Sequence, residues 1–121
     1  DVFAGSESFL LANMKNGGAG CISATANVNP AAIDKLYREW RKPDAELQQE
    51  ALNVVRKTVG QYVMIPALKA VVAHYSKDPQ WATVRPPLTE LTAAQAKNVI
   101  DGLRKLNFDM PGLEQAQAKA A

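Results

Sequence analysis

From residue 30 to residue 106 the apolar positions recur at helical spacing, and polar side chains fill the gaps. Ile33, Leu36, Tyr37 and Trp40 fall at i, i+3, i+4 and i+7, which predicts an amphipathic helix after Asn29-Pro30. Lys42-Pro43-Asp44 breaks that pattern and Asp44 is placed to cap the next helix. Its stripe reads Leu47, Ala51, Val54, Val55, Thr58, Val59 and Tyr62, with Glu46, Gln48, Gln49, Glu50 and Lys57 mostly off it. Ile65-Pro66 interrupts, because the residue before a proline is steered out of helix, and Pro66 starts a stripe of Leu68, Val71, Val72 and Tyr75. Lys77-Asp78-Pro79 and Arg85-Pro86-Pro87-Leu88 bracket an irregular crossing that contains Trp81. Thr92 caps a last helix with Ala96, Val99, Ile100, Leu103 and Leu106 inward, and residues 109–112 close it. Residues 113–121 read as a polar, Ala-rich tail, helical or frayed.

The first forty residues follow another pattern. Residues 1–4 read as a short strand ended by Gly5, and Ser6 can cap the helix that follows, with Glu7 in its first turn. Phe9, Leu10, Ala12, Met14 and Ala19 supply apolar surface there, and Gly17 is a C-terminal stop. After the glycines at 17, 18 and 20, residues 21–26 carry no charge and only modest side chains, as a strand buried on both faces does. Asn29 and Pro30 suit an N-cap and first helical turn. Strand, helix, strand, helix is a parallel α/β order, and it ends near residue 43. Two domains follow: residues 1–43 with two strand–helix units, and residues 44–121, all helical.

Composition narrows the function without choosing it. The 121 residues are 47% hydrophobic and 21% charged, ordinary for a globular protein. The formal net charge is +2 and the charges are interleaved, so no basic stripe points to nucleic acid. No apolar run approaches the roughly 20 residues of a membrane span, and no signal peptide is visible. The single cysteine, Cys21, forms no internal disulfide and cannot alone build a metal site, which suggests a reduced, cytoplasmic setting. The chain enters Val2-Phe3-Ala4 at once, as if residues upstream were missing.

Glu7 is the foremost candidate carboxylate. It stands at a presumed strand end, where parallel α/β folds keep their ligands, and either satisfies a helix N-terminus or contacts a ligand. Ser6 and Ser8 share that ambiguity, with capping the simpler task for Ser6. The lone histidine, His74, suits a helix C-terminus better than catalysis. Cys21 reads as a small core residue. Lys69 sits among apolar neighbours, where an amine can be tuned for Schiff-base chemistry, yet it flanks a helical stripe, and a solvated or paired lysine is the simpler reading. Arg85 either binds an anion or holds carbonyls of an irregular segment. The glycine run lacks a phosphate-loop ending, and a tight turn accounts for it. No metal or cofactor site is read.

Four blocks carry a resemblance: Phe3-Ala4-Gly5-Ser6-Glu7-Ser8, then residues 16–28 with Ser23-Ala24-Thr25-Ala26-Asn27-Val28, then Ile65-Pro66-Ala67-Leu68-Lys69, then Val84-Arg85-Pro86-Pro87-Leu88. In order and spacing they resemble the C-terminal part of the dihydrodipicolinate synthase/N-acetylneuraminate lyase family, over residues 3 to about 106. The resemblance implies an eight-stranded β/α (TIM) barrel followed by a C-terminal helical bundle, with residues 1–4 on strand seven and 21–26 on strand eight. It implies a class I lyase or aldolase that joins pyruvate or another 2-oxo acid to an aldehyde through a Schiff base. The lysine of that Schiff base belongs to strand six, outside this chain, and Lys69 does not match it. The chain alone is therefore expected to be inactive, with no catalytic residue of its own. What carries over is substrate binding: Gly5, Ser6, Glu7 and Ser8 match the turn that contacts the second substrate, and Ile22 a position beside bound pyruvate. Ala24 stands where sialic-acid lyases carry a hydroxyl, so the resemblance argues against a sialic-acid substrate. Glu7-Ser8 also departs from the family's paired acids, leaving the aldehyde open. The implied partners are the N-terminal remainder of the barrel and further copies in a homo-oligomer. The residues alone also fit a non-enzymatic helical interaction module that docks through its first forty residues, or an anion-binding regulator at the helix start near Asn29.

Overall fold

A computed structural model describes residues 1–113; the proposed tail beyond them lies outside the described residues. Two compact units divide the chain at Lys57/Thr58. In the first unit, β1 (Phe3–Ala4) leads through a 3-10 turn (Glu7–Phe9) into α1 (Leu10–Lys15). Then come β2 (Gly20–Cys21), a second 3-10 turn (Ala24–Asn27), α2 (Pro30–Glu39) and most of α3 (Ala45–Val59). In the second unit, α4 (Met64–Ser76), a 3-10 turn (Pro79–Ala82) and α5 (Ala93–Lys105) follow.

The two strands pair in parallel, Phe3 beside Gly20 and Ala4 beside Cys21, so α1 is a crossover connection. The ladder is short because each strand turns away at once. Ile22 N–H donates to the Ala4 carbonyl at 2.9 Å, and beyond that point side chains hold the segments together. The expected strand over residues 21–26 is thus corrected: β2 is Gly20–Cys21, Ile22 is 73% exposed, and Ala24–Asn27 coil into a 3-10 turn. At the other end of the ladder Asn13 Nδ2 donates to the carbonyls of Val2 and Gly20, both at 2.9 Å. Gly18 permits that bridge, since a Cβ there would lie 2.2 Å from the Asn13 amide. Gly17, with φ +81°, makes the left-handed turn that stops α1.

The core of the first unit gathers Leu10, Leu11, Ile33, Leu36, Ala45 and Leu52, with Met14, Cys21, Ala26 and Trp40 packed against it. Ile33 and Leu36 follow the α2 pattern, and Asn29 and Pro30 take the cap and first-turn places, although the Asn29 side chain makes no cap bond. The α3 stripe requires correction. Its buried line runs through Ala45, Gln49, Leu52, Val55 and Val59, whereas Leu47 is 76% exposed. The polarity of Gln49 hid that line in the sequence. In the second unit α4 begins at Met64, before Pro66, which its first turn tolerates. Ala67, Leu68 and Val71 of α4 are buried, as are Val99, Ile100 and Leu103 of α5. Thr92 caps α5 in a full capping box with Gln95.

Candidate functional site

The turns that follow β1 and β2 meet at one buried carboxylate. Ser6 caps the first turn as its residue type suggests, accepting the Ser8 N–H at 3.1 Å. That geometry directs Glu7 inward, where it is only 1% exposed. Thr25 Oγ1 donates to Glu7 Oε1 and Ser23 Oγ donates to Oε2. Arg56 Nη1 donates to Oε2 at 2.8 Å and lies 3.4 Å from Ser23 Oγ. Ser6 Oγ reaches the same carboxylate oxygen at 3.4 Å.

These donors fix the charge state. A hydroxyl has one hydrogen, so Ser23 and Thr25 spend theirs on Glu7, and their own 3.1 Å approach is a contact between atoms already committed. An ionised carboxylate can accept all of these donors, and a protonated one must drop at least one. Burial pushes the Glu7 pKa up, but the hydrogen bonds from Ser23, Thr25 and its own backbone, with the Arg56 charge, outweigh it and hold the carboxyl below the ordinary 4.5. The folded value lies below the unfolded one, so this group stabilises the fold fully above about pH 4.5 and loses that contribution as pH falls through the lower folded value. Acid unfolding followed by Trp40 fluorescence should therefore show the first unit weakening below that pH, and Glu7→Gln should flatten the dependence.

The expected site residues divide by exposure. Gly5, Ile22 and Ala24 are exposed, Ser8 is half-buried, and Ser6 and Glu7 are buried. Ser23 is extended, at φ −129° and ψ 140°, and stands just before the 3-10 turn of Ala24–Asn27. Ser23 and Thr25 turn in to Glu7, and Ile22 and Ala24 turn out. The sequence reading missed Ser23, Thr25, Gln49 and Arg56; the visible signal was two polar residues at i and i+7 within the apolar line of α3.

Other candidates lie apart from this cluster. Cys21 is half-buried, and burial together with the Glu7 charge pushes its thiol pKa up, away from nucleophilic reactivity. Lys69 belongs to α4, with Nζ 5.9 Å from the Trp81 ring centre. His74 is exposed in the last turn of α4, with Nε2 3.3 Å from Arg104 Nη2. Arg85 is exposed in a shallow groove with Ile65, Lys69 and Pro86. Among the described residues no three His, Cys, Asp or Glu side chains converge as a metal site would need, and no helix is long and apolar enough to cross a membrane.

Residues 1–106 match the model of the dihydrodipicolinate synthetase family. A 4-hydroxy-tetrahydrodipicolinate synthase from Lachnoclostridium phytofermentans is 27% identical over 113 residues, which is 89% of this chain and 37% of that protein. A putative mitochondrial 4-hydroxy-2-oxoglutarate aldolase from Coccidioides immitis is 42% identical over 56 residues, 46% of this chain and 17% of its own length. Among solved structures, a Sulfolobus 2-keto-3-deoxygluconate aldolase superposes with a TM-score of 0.78 at 17% identity, over 88% of this chain and 37% of its own. YagE, an E. coli K12 prophage protein of the dihydrodipicolinic acid synthase family in complex with pyruvate, gives 0.76 at 22% identity, over 89% and 37%. These structural neighbours are TIM-barrel proteins. The chain spans a little over a third, 37%, of the synthase and of the two structures it matches.

Proposed function

The chain belongs to the dihydrodipicolinate synthetase family, and from that premise we propose that it supplies strands seven and eight and the C-terminal helices of a Schiff-base lyase barrel. The reaction joins or cleaves pyruvate, or a related 2-oxo acid, and an aldehyde. The amine that forms the Schiff base comes from a strand outside this chain, so the chain alone is inactive. The observation that carries this reading is the parallel pair β1/β2 with Gly5, Ile22 and Ala24 exposed just past its carboxyl ends, the place where barrels of this kind keep their substrates. Ile22 flanks the 2-oxo acid, and Gly5 and Ala24 line the path of the aldehyde. Ser6, Glu7 and Ser8 build the turn, and the buried Glu7 acts on substrate only through its neighbours. Lys69, held in α4 beside Trp81, has no part in the chemistry.

Each strand of a two-stranded sheet leaves one edge unpaired, and such edges are templates for further strands. The partner is accordingly the rest of the barrel, with oligomerisation of the complete lyase following from that. Ile22 is exposed, so Ile22→Ala should leave folding unchanged. In the whole barrel it should raise the pyruvate KM by about tenfold, the equivalent of losing one to two buried methylene contacts. A KM within twofold of the unsubstituted protein would count against this placement of pyruvate.

A further inference from the structure

We propose that Gln49 and Arg56 of α3 are positioning residues for this substrate edge: together they fix the Glu7 turn, and through it the face that Ile22 and Ala24 present. The inference rests on the preceding reading of that edge.

The ladder between β1 and β2 ends at the bond from Ile22 N–H to Ala4. Past it, the Glu7 carboxylate takes hydrogen bonds from Ser23 and Thr25, and α3 holds Glu7 at both ends. At the backbone, Gln49 Nε2 donates to the Glu7 carbonyl at 2.9 Å, and Gln49 Oε1 accepts the Leu11 N–H at 3.0 Å. That N–H belongs to the first turn of α1, where no carbonyl of its own helix can take it. One amide thus ties the start of the 3-10 turn to the start of α1. At the side chain, Arg56 reaches across Glu7 Oε2 and Ser23 Oγ, bracing the carboxylate and one of its hydroxyl donors together.

The consequence for substrate follows from how the backbone of residues 22–25 is held. While the Ser23 and Thr25 hydroxyls both bind the carboxylate, Ile22 and Ala24 are left exposed. If Glu7 takes a proton or swings out, at least one hydroxyl is released and that segment is no longer pinned. The titratable or charged groups that face Glu7 are Arg56 from α3 and Cys21 from β2. Burial and the Glu7 charge push the Cys21 thiol up, so it stays neutral through the acid range. Arg56 is the charge that adds to the larger effect of the Ser23 and Thr25 hydrogen bonds in keeping Glu7 ionised.

The test is an NMR titration of the 121-residue chain, following the Glu7 carboxyl carbon and the Ile22 and Ala24 amides from pH 7 downward. The three signals should share one midpoint. That midpoint should rise by about one pH unit in Arg56→Met, as loss of a close opposite charge raises a carboxylate pKa by one to three units, and Arg56→Lys should fall between. Gln49→Glu should broaden or shift the Leu11 amide and displace Ile22. Ile22 and Ala24 amides that ignore Glu7, or an unchanged midpoint in Arg56→Met, would overturn the proposal. Should Arg56→Met fail to fold, the smaller shift in Arg56→Lys decides. In the whole barrel the acid limb of kcat/KM should move with the NMR midpoint, which mere loss of folded protein would not cause. A whole barrel that forms no pyruvate adduct sinks the lyase reading instead, and the titration remains the arbiter of whether α3 sets the face.

Discussion

Glu7→Ala is expected to destabilise the first unit by about 3 kcal/mol, the low end of the cost of removing one partner from a buried ion pair. The substitution strands Arg56 and deprives the Ser23 and Thr25 hydroxyls of their acceptor. Two features keep the cost from running higher. The Arg56 side chain is 29% exposed, so water takes up part of its charge, and the two hydroxyls lie close enough to bond each other. Urea unfolding read by Trp40 fluorescence measures this, in a Trp81→Phe background so that the second unit is silent. Trp81 is exposed, which makes it a safe residue to replace. A loss below about 1 kcal/mol, the worth of one ordinary hydrogen bond, would show that Glu7 is not the junction of the two turns.

Leu52→Ala should cost a similar amount, about 3 kcal/mol, within the range for emptying a buried leucine site. Leu52 is 2% exposed and packs with Leu10, Leu36 and Ala45. Its neighbour on the opposite face, Leu47, should tolerate alanine within about 0.5 kcal/mol, as exposed positions do. The pair is informative because the apolar periodicity places Leu47 inside and passes over Leu52. Equal costs for the two would restore the stripe read from the sequence and reject the buried line through Gln49.

That contrast explains what a sequence can and cannot display. The helices α2, α4 and α5 were legible because their buried faces are apolar throughout, from Ile33 and Leu36 to Val99, Ile100 and Leu103. Local chemistry was legible too: Ser6 and Thr92 cap where their hydroxyls suggest, and Gly17 turns where its freedom is needed. In α3 the inward line carries Gln49, so the hydrophobic stripe found Val55 and Val59 but took in the exposed Leu47 and Val54 and passed over Leu52. The strand over residues 21–26 was overextended because Ser-Ala-Thr-Ala contains no breaker, and the carboxylate that its hydroxyls bond lies 16 to 18 residues away. Glu7 stood out alone, while its partners Thr25 and Arg56 lie 18 and 49 residues away, separations at which no local pattern connects them. The family resemblance is what proposes Gly5, Ile22 and Ala24 as an edge. It carried no account of the hydrogen bonds that reach Glu7 from α3.

The central claim, that these residues form a substrate edge whose reactive amine lies elsewhere, is tested most directly by trapping. The chain is incubated with pyruvate and borohydride, alone and completed as a whole barrel, and any reduced adduct is located by mass spectrometry. The account predicts no adduct on the chain alone, and in the whole barrel one adduct on a lysine outside residues 1–121. An adduct on Lys69, or on any other lysine of this chain, would contradict it.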